Sequence, residues 1–229
     1  MGESKVIFVK FNYLSILNGN EKAMNDIENY DSKEEWHFSL WLEELTSKGL
    51  IESTKYHPNS FILSNKVALT FEIQMATKTK LKDFHLAAEH KYQADWLIYW
   101  SHLASDVMHP GKGPLKKSPM DYPFLVNWSE KRQLYYSVID IKGSFSGPHN
   151  NSAVTFPLNQ KWVYAKFGIY VQKVVLTPRI AKGKQIPADA LFPSTFIPRR
   201  YLTTDNSGIA RKINFKYILL QEFLSNHGL

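Results

Sequence analysis

The sequence predicts an α/β protein with a central mixed sheet that is flanked by helices. Three observations support this: an amphipathic helix near the start, two apolar strands in the middle, and a helix with one more strand beyond them. These segments are residues 31–48, 91–100, 135–143, 157–167 and 169–176. Helices and strands that alternate in this way are typical of α/β domains.

The first helix, residues 31–48, has clear start and stop signals. Ser32 followed by Glu35 matches a capping box, and Gly49 suits the position after the last turn. The apolar stripe consists of Phe38, Trp41, Leu42 and Leu45. Glu35 lies at the head of this stripe, so its carboxylate is expected to face the core or a site that the core borders. Read alone, Glu35 is better explained by the capping box than by a functional site.

The segment between the helix and the central strands is rich in extended sequence. Residues 51–63 predict two strands, and residues 67–75 predict a third with alternating apolar positions. Residues 77–82 are polar and basic, which predicts a connector. Residues 91–100 then form an apolar strand that contains a single acid, Asp95. An aspartate in such a strand is unfavourable to bury without a partner.

The strand at residues 135–143 delivers an acid and a lysine at its end. Asp140 and Lys142 are two positions apart, so both side chains point to the same face of the sheet. Burying them requires an ion pair or a metal ion. A carboxylate that binds a divalent cation, beside a lysine that steadies a water or a phosphate, is suited to phosphodiester hydrolysis.

Composition narrows the class of protein. The 229 residues carry a net charge of +7, and residues 178–229 hold eight Lys or Arg against three Asp or Glu. This uneven basicity favours a polyanionic partner, although a solvated basic surface explains it as well. The chain has no cysteine, which excludes disulfides and thiolate zinc sites. No apolar run approaches the roughly 20 residues of a membrane span, so we expect no membrane contact and a cytoplasmic location.

The chain is expected to divide into three parts. Residues 1–29 form an N-terminal arm, residues 30–177 form the core, and residues 178–229 form a basic C-terminal extension. The core contains a long basic excursion at residues 101–131, and loops of that length are commonly functional or disordered.

Glu35, Asp95, Asp140 and Lys142 together suggest one site. The two strand carboxylates and the backbone carbonyl of Ile141 offer the oxygen ligands that Mg²⁺ prefers, and Mn²⁺ is an alternative. Glu35 is expected to reach a metal-bound water or a second metal, and Lys142 to offset charge on the phosphate. Basic and amide side chains elsewhere are candidates for nucleic-acid contact. These are Lys112, Lys116, Lys117, Gln160, Lys161, Arg199, Arg200, Arg211 and Lys212.

The order of these motifs resembles the PD-(D/E)XK nuclease superfamily. A phage-encoded branch of it, similar to endonuclease-I-type Holliday-junction resolvases and more distantly to transposon-end nucleases, has matching segments. They start the helix with Ser-Lys-x-Glu, end it with Gly-x-Ile, and continue with Pro-x-x-Phe, Tyr-x-Ala-Asp and Asp-x-Lys-Gly. In this chain the matching segments are residues 32–35, 49–51, 58–61, 92–95 and 140–143. The resemblance covers residues 30–177.

The resemblance implies a restriction-endonuclease-like core and a specific set of roles. Asp95 and Asp140 would bind the metal, Lys142 would be the catalytic lysine, and Glu35 would be the helix acid. Gln160 and Tyr164 are similar to a Gln-x-x-x-Tyr helix of recombination exonucleases in the same superfamily.

The activity that follows is metal-dependent hydrolysis of DNA, as in phage recombination or resolution. A homodimer is reasonable, because a two-fold protein matches a two-fold substrate. Two alternatives remain: a DNA-binding or assembly protein without catalysis on a nuclease-like fold, and a site-specific nuclease of restriction or transposition type.

Overall fold

The computed structural model describes residues 28–114, 122–142, 151–175, 190–191 and 218–229. Its helices are α1 (Lys33–Ser47), α2 (Asn151–Phe167) and α3 (Leu220–Asn226), with a short 3₁₀ turn at His102–Ala104. Its strands are β1 (Ile51–Tyr56), β2 (Phe61–Ser64), β3 (Val67–Gln74), β4 (Thr79–Ala87), β5 (His90–Tyr92), β6 (Trp96–Trp100), β7 (Asn127–Ser129), β8 (Leu134–Lys142), β9 (Val171–Val175), β10 (Ala190–Leu191) and β11 (Ile218–Leu219).

A five-stranded mixed sheet forms the centre of the protein. β1, β6 and β8 lie side by side and antiparallel. The other edge of β8 is shared, because β7 pairs antiparallel with its first half and β9 pairs parallel with its second half. A parallel pair requires a crossover, and α2 lies between β8 and β9 in the chain. The predicted α/β class with a mixed sheet and flanking helices is therefore confirmed.

The two faces of the sheet are covered by different elements. Ile139 and Ile141 of β8 pack into a cluster with the apolar stripe of α1, the tryptophans of β6, and α3. Val138 packs into a second cluster that includes Phe156 and Val163 of α2. Because side chains alternate along a strand, Asp140 shares its face with Val138. Asp140 and α1 therefore lie on opposite sides of the sheet.

The start and end of α1 follow from local sequence. The Ser32 hydroxyl oxygen accepts a hydrogen bond from the Glu35 amide at 3.2 Å, which satisfies one unpaired donor of the first turn. Gly49 has a φ of +72°, and the amides of Gly49 and Leu50 donate to the carbonyls of Thr46 and Leu45. This is a Schellman ending, which needs a left-handed residue. The Ser32 cap and the Gly49 ending are therefore confirmed, and the Glu35 carboxylate accepts from the Ser32 hydroxyl at 2.7 Å.

Three predicted boundaries are wrong. The segment 91–100 is not one strand, because the pairing breaks after Tyr92 and resumes at Trp96. The helix predicted to begin at Pro157 begins at Asn151, and burial of Phe156 against the sheet stabilises its early turns. Near the C-terminus, the apolar positions Phe215, Ile218, Leu219 and Phe223 predict a helix over roughly residues 214–225, but residues 218–219 are in a strand and the helix begins at Leu220.

Residues 67–87 form a separate two-stranded hairpin, which we call the β3–β4 ribbon. β3 and β4 pair antiparallel with eight residue pairs. The ribbon extends the short β2–β5 hairpin, in which Phe61 pairs with Tyr92. The predicted connector at residues 77–82 is wrong, because β4 begins at Thr79. Pairing with β3 outweighs the polar, lysine-rich composition that suggested a loop.

In the part of the chain that the structure describes, no helix has the length and apolarity needed to cross a membrane. Most of the predicted N-terminal arm and most of the C-terminal extension lie outside the described residues, so the three-part division stays a prediction.

Candidate functional site

The end of β8 carries an ion pair between Asp140 and Lys142. The Nζ of Lys142 contacts Oδ1 of Asp140, which agrees with the prediction that the two side chains share one face. Asp140 is only 2% exposed, whereas the Lys142 side chain is 21% exposed. The carboxylate is therefore inside the protein, and the ammonium group lies near its surface.

A tyrosine holds the second oxygen of Asp140. The Tyr92 hydroxyl donates a 2.6 Å hydrogen bond to Oδ2 of Asp140 across 48 residues of sequence. Tyr92 is buried at the end of β5, and burial together with the charge of Asp140 raises the pKa of this phenol. Tyr92 therefore acts as a fixed donor that orients the carboxylate. Tyr92 was not predicted to take part in the site, although it lies in the Tyr-x-Ala-Asp motif.

Asp95 lies in the break between β5 and β6, where hydrogen bonds to His57, Ile139 and Ile141 hold it. Its amide donates to the Ile139 carbonyl at 3.0 Å, and its carbonyl accepts from the His57 amide at 2.8 Å. Its Oδ2 accepts a 2.5 Å hydrogen bond from the amide of Ile141, the residue between Asp140 and Lys142. The structure thus brings Asp95, Asp140 and Lys142 together at the end of β8.

The electrostatics of the two carboxyl groups are coupled. Burial, followed by the negative charge of Asp140, raises the pKa of Asp95 to about 7, against the Ile141 hydrogen bond and Lys142. Burial also raises the pKa of Asp140, while Lys142 and Tyr92 act in the opposite direction. Two carboxylates in one buried place disfavour full ionisation. Without a cation, the site is therefore expected to retain a proton near neutral pH.

We expect the metal-free protein to lose stability as the pH rises from about 4 to about 7. Folded Asp95 keeps its proton up to a pKa of about 7, whereas the unfolded side chain titrates near about 3.9. Between these values the folded state binds more protons, so the stabilisation present below the lower pKa is lost through the upper one. Urea unfolding in EDTA should show this loss in the wild type and a flatter profile in Asp95→Asn. Parallel profiles for the two proteins would contradict the assignment.

Glu35 lies in the first turn of α1, 7% exposed, and two hydroxyl groups hold it. Ser32 donates to its Oε1 at 2.7 Å and Tyr56 donates to its Oε2 at 2.6 Å. Its charge contributes to the raised pKa of Asp95, so it is within electrostatic range of the site. Glu35 nevertheless contacts the α1 side of the sheet through Tyr56, and its predicted role toward the metal stays a prediction.

A second set of potential ligand atoms surrounds Glu35. Among the residues that the structure describes, Asp31, Glu35 and His57 form the one group of three possible ligands whose atoms all lie within 4.8 Å of one another. His57 Nε2 is 3.4 Å from Oδ2 of Asp31, and His57 has a φ of +46°. Asp31 and His57 were not identified from the sequence. Asp31 precedes α1 and His57 follows β1, and these two positions come together only in the fold.

The donor chemistry at the end of β8 fits a hard divalent cation. Asp95 and Asp140 offer carboxylate oxygens, and oxygen ligands are those that Mg²⁺ and Mn²⁺ prefer. The charge of Asp140 raises the pKa of Asp95, and a cation would relieve this repulsion. The residues that would hold such an ion are Asp95, Asp140 and, as the sequence predicts, the carbonyl of Ile141.

The predicted nucleic-acid contacts are only partly within the described residues. Lys112 lies over the Trp128 ring at 3.9 Å, and Lys161 is exposed on α2. The Gln160 amide donates to the Val171 carbonyl at 2.6 Å, which ties α2 to β9 and gives this residue a structural contact. Lys116, Lys117, Arg199, Arg200, Arg211 and Lys212 lie outside the described residues.

Comparison of this chain with protein-family models, with curated proteins and with solved structures finds no match.

Proposed function

We propose that this protein is a metal-dependent DNA endonuclease that hydrolyses phosphodiester bonds. One observation carries the proposal. Asp140 and Lys142 pair on one face at the end of a buried strand, and Asp95 bonds to the amide of the residue between them. Two carboxylates and a lysine in one place combine ligands for a cation with a positive charge for a phosphate.

The order of the central elements supports the same proposal. Along the chain it is α1, β1, β6, β8, α2 and β9, with three antiparallel strands followed by a parallel one. We interpret this as a restriction-endonuclease-like core of the PD-(D/E)XK type, the superfamily that the motifs resemble. The β3–β4 ribbon and the segment before β7 are insertions into that order.

Each residue has a defined part in the proposed reaction. A divalent cation would polarise the scissile phosphate and lower the pKa of its bound water. Asp95 and Asp140 would hold it, and Tyr92 keeps Asp140 in a single orientation. Lys142, the more exposed partner of the ion pair, would offset negative charge that develops on the phosphate.

The proposed function is tested directly by a nicking assay with the purified full-length protein. We expect supercoiled plasmid DNA to be converted to the nicked form with Mg²⁺ or Mn²⁺ and to remain intact with EDTA. A four-way junction tested beside a linear duplex distinguishes a resolvase-type preference from a general endonuclease. If the protein binds these DNAs but cleaves none of them with either metal, the non-catalytic binding alternative replaces this proposal.

A further inference from the structure

The β3–β4 ribbon exposes an unusual amount of apolar surface. Every residue of β3 and β4 is exposed, including Phe71 at 50% and Phe84 at 43%. In the described part of the chain, β3 and β4 form a sheet of their own with no third strand. An isolated two-stranded hairpin is marginally stable in water, and exposed apolar patches commonly mark interaction sites. The ribbon is therefore expected to have a partner.

The register separates the side chains of the ribbon into two different faces. Leu69 pairs with Phe84, Phe71 with Lys82, and Ile73 with Lys80, so these six side chains share one face, which we call the basic face. Phe71 and Phe84 contact edge to face at 5.4 Å, and Nζ of Lys82 is 5.3 Å from the Phe84 ring centre. The basic face thus combines aromatic and aliphatic groups with two lysines.

The opposite face, which we call the polar face, carries both acids of the ribbon. Glu72 and Asp83 lie on it, as the pairings Glu72–Leu81 and Thr70–Asp83 show. Its groups also bond to one another: the Thr70 hydroxyl donates to Asp83 at 2.6 Å, and the Thr79 hydroxyl donates to Gln74 at 2.9 Å. The six side chains of the basic face therefore include two lysines and no acid, whereas four side chains of the polar face bond to one another.

This separation of charge favours a polyanion over a second copy of the chain. Packing two basic faces together would bury lysines from both copies without a counter-charge, which is unfavourable. A nucleic-acid duplex supplies phosphates for the lysines, and its major groove admits a two-stranded β-ribbon. β3 has eight residues, or about 27 Å at about 3.4 Å per residue, long enough to follow a groove.

We propose that the basic face of the β3–β4 ribbon docks on duplex DNA, with Lys80 and Lys82 contacting phosphates. This inference rests on the proposed nuclease function and adds the element that would hold the substrate. β4 continues toward β5, whose last residue, Tyr92, bonds to Asp140. The ribbon is thus joined within a few residues to the candidate active site.

The test is a binding titration of the full-length protein with a fluorescein-labelled linear duplex in EDTA, at several salt concentrations. The double variant Lys80→Gln/Lys82→Gln should bind at least about tenfold more weakly than the wild type at low salt. The slope of log K against log salt should also be shallower by about 1.8, since each lost phosphate contact removes about 0.9.

The matched control is the double variant Lys48→Gln/Lys131→Gln. It removes the same charge from exposed positions at the end of α1 and before β8. Its affinity and salt slope should stay close to those of the wild type. An equal loss of DNA affinity in both double variants would show that only net charge matters, and would overturn the docking proposal.

Other outcomes separate this inference from the proposed function. A wild type that binds duplex through these lysines, yet nicks none of the tested DNAs with Mg²⁺ or Mn²⁺, supports docking and removes the nuclease activity. A wild type that nicks DNA, with unchanged affinity in Lys80→Gln/Lys82→Gln, overturns docking alone. Sedimentation measurements identify a second copy as the occupant if Phe71→Ser dissociates a dimer without changing DNA affinity, which also overturns the proposal. A wild type that binds no duplex overturns it as well.

Discussion

Asp140→Asn is expected to lower the rate of metal-dependent nicking by at least about a thousandfold. The substitution neutralises the most buried carboxylate of the candidate site, which is 2% exposed and which we propose holds the metal. Metal-ion catalysis supplies several kcal/mol, and about 4 kcal/mol corresponds to a factor of about a thousand in rate. Asparagine keeps the shape and an oxygen that accepts from Tyr92, so the fold should persist. The measurement is nicking of supercoiled plasmid with Mg²⁺ under single-turnover conditions.

The matched control for this variant is Glu52→Gln. Glu52 is exposed on β1 of the same sheet, so its neutralisation changes the net charge equally without touching the site. We expect its nicking rate to stay within about twofold of wild type, in line with the small effects of surface substitutions. Wild-type nicking by Asp140→Asn would remove Asp140 from the site.

Trp100→Ala is expected to lower the free energy of unfolding by about 3–5 kcal/mol. Trp100 of β6 is 1% exposed, and its ring centre is 4.9 Å from that of Phe124. Its indole N–H donates to the Ser137 hydroxyl on β8 at 2.8 Å. The substitution therefore creates a cavity and removes a buried hydrogen bond next to the central strand. Proteins typically have a total free energy of unfolding of about 5–15 kcal/mol, so the expected loss is a large share of the total. Urea unfolding followed by circular dichroism measures it.

Trp162→Ala is the control for the core substitution. Trp162 lies on α2 with 41% of its surface exposed, and its ring contacts His90 edge-on. Removing this partly exposed ring should lower the free energy of unfolding by less than Trp100→Ala does, because less apolar surface is lost and no internal cavity forms. Equal losses from both tryptophans would contradict the packing that places Trp100 in the core.

Much of the fold follows from short-range patterns in the sequence. The extent of α1, its Ser32 cap and its Gly49 ending were predicted, because the signals and the bonds they make lie within a few residues. The strand that carries Asp140 and Lys142 was predicted as well, since strand periodicity places alternate side chains on one face. The element boundaries that failed depend on distant contacts. Phe156 stabilises the start of α2 through the sheet, and β4 forms because β3 pairs with it.

The candidate site also combines features that nearby residues set with features that distant contacts set. Asp95 was expected inside a continuous strand, but it lies in a break where Ile141 bonds to its carboxylate. Tyr92 and Tyr56 hold Asp140 and Glu35 from 48 and 21 residues away. Hydrogen bonds across such separations leave no periodic signal, so residue type and spacing could not identify these partners.

By itself, the sequence determined the α/β class, the bounds of α1, and the common face of Asp140 and Lys142. It also indicated the candidate acids, because burying carboxylates is unfavourable without partners. The grouping of Asp95 with Asp140 and Lys142 was predicted too. Only the tertiary structure decided that Asp95 lies in a strand break bonded to the Ile141 amide, that Glu35 lies against Tyr56 on the α1 side, and that residues 67–87 form an exposed ribbon. The physical reason is that strand pairing and sheet sidedness depend on contacts between segments far apart in the chain. Local propensity sets each segment's own geometry but not its neighbours.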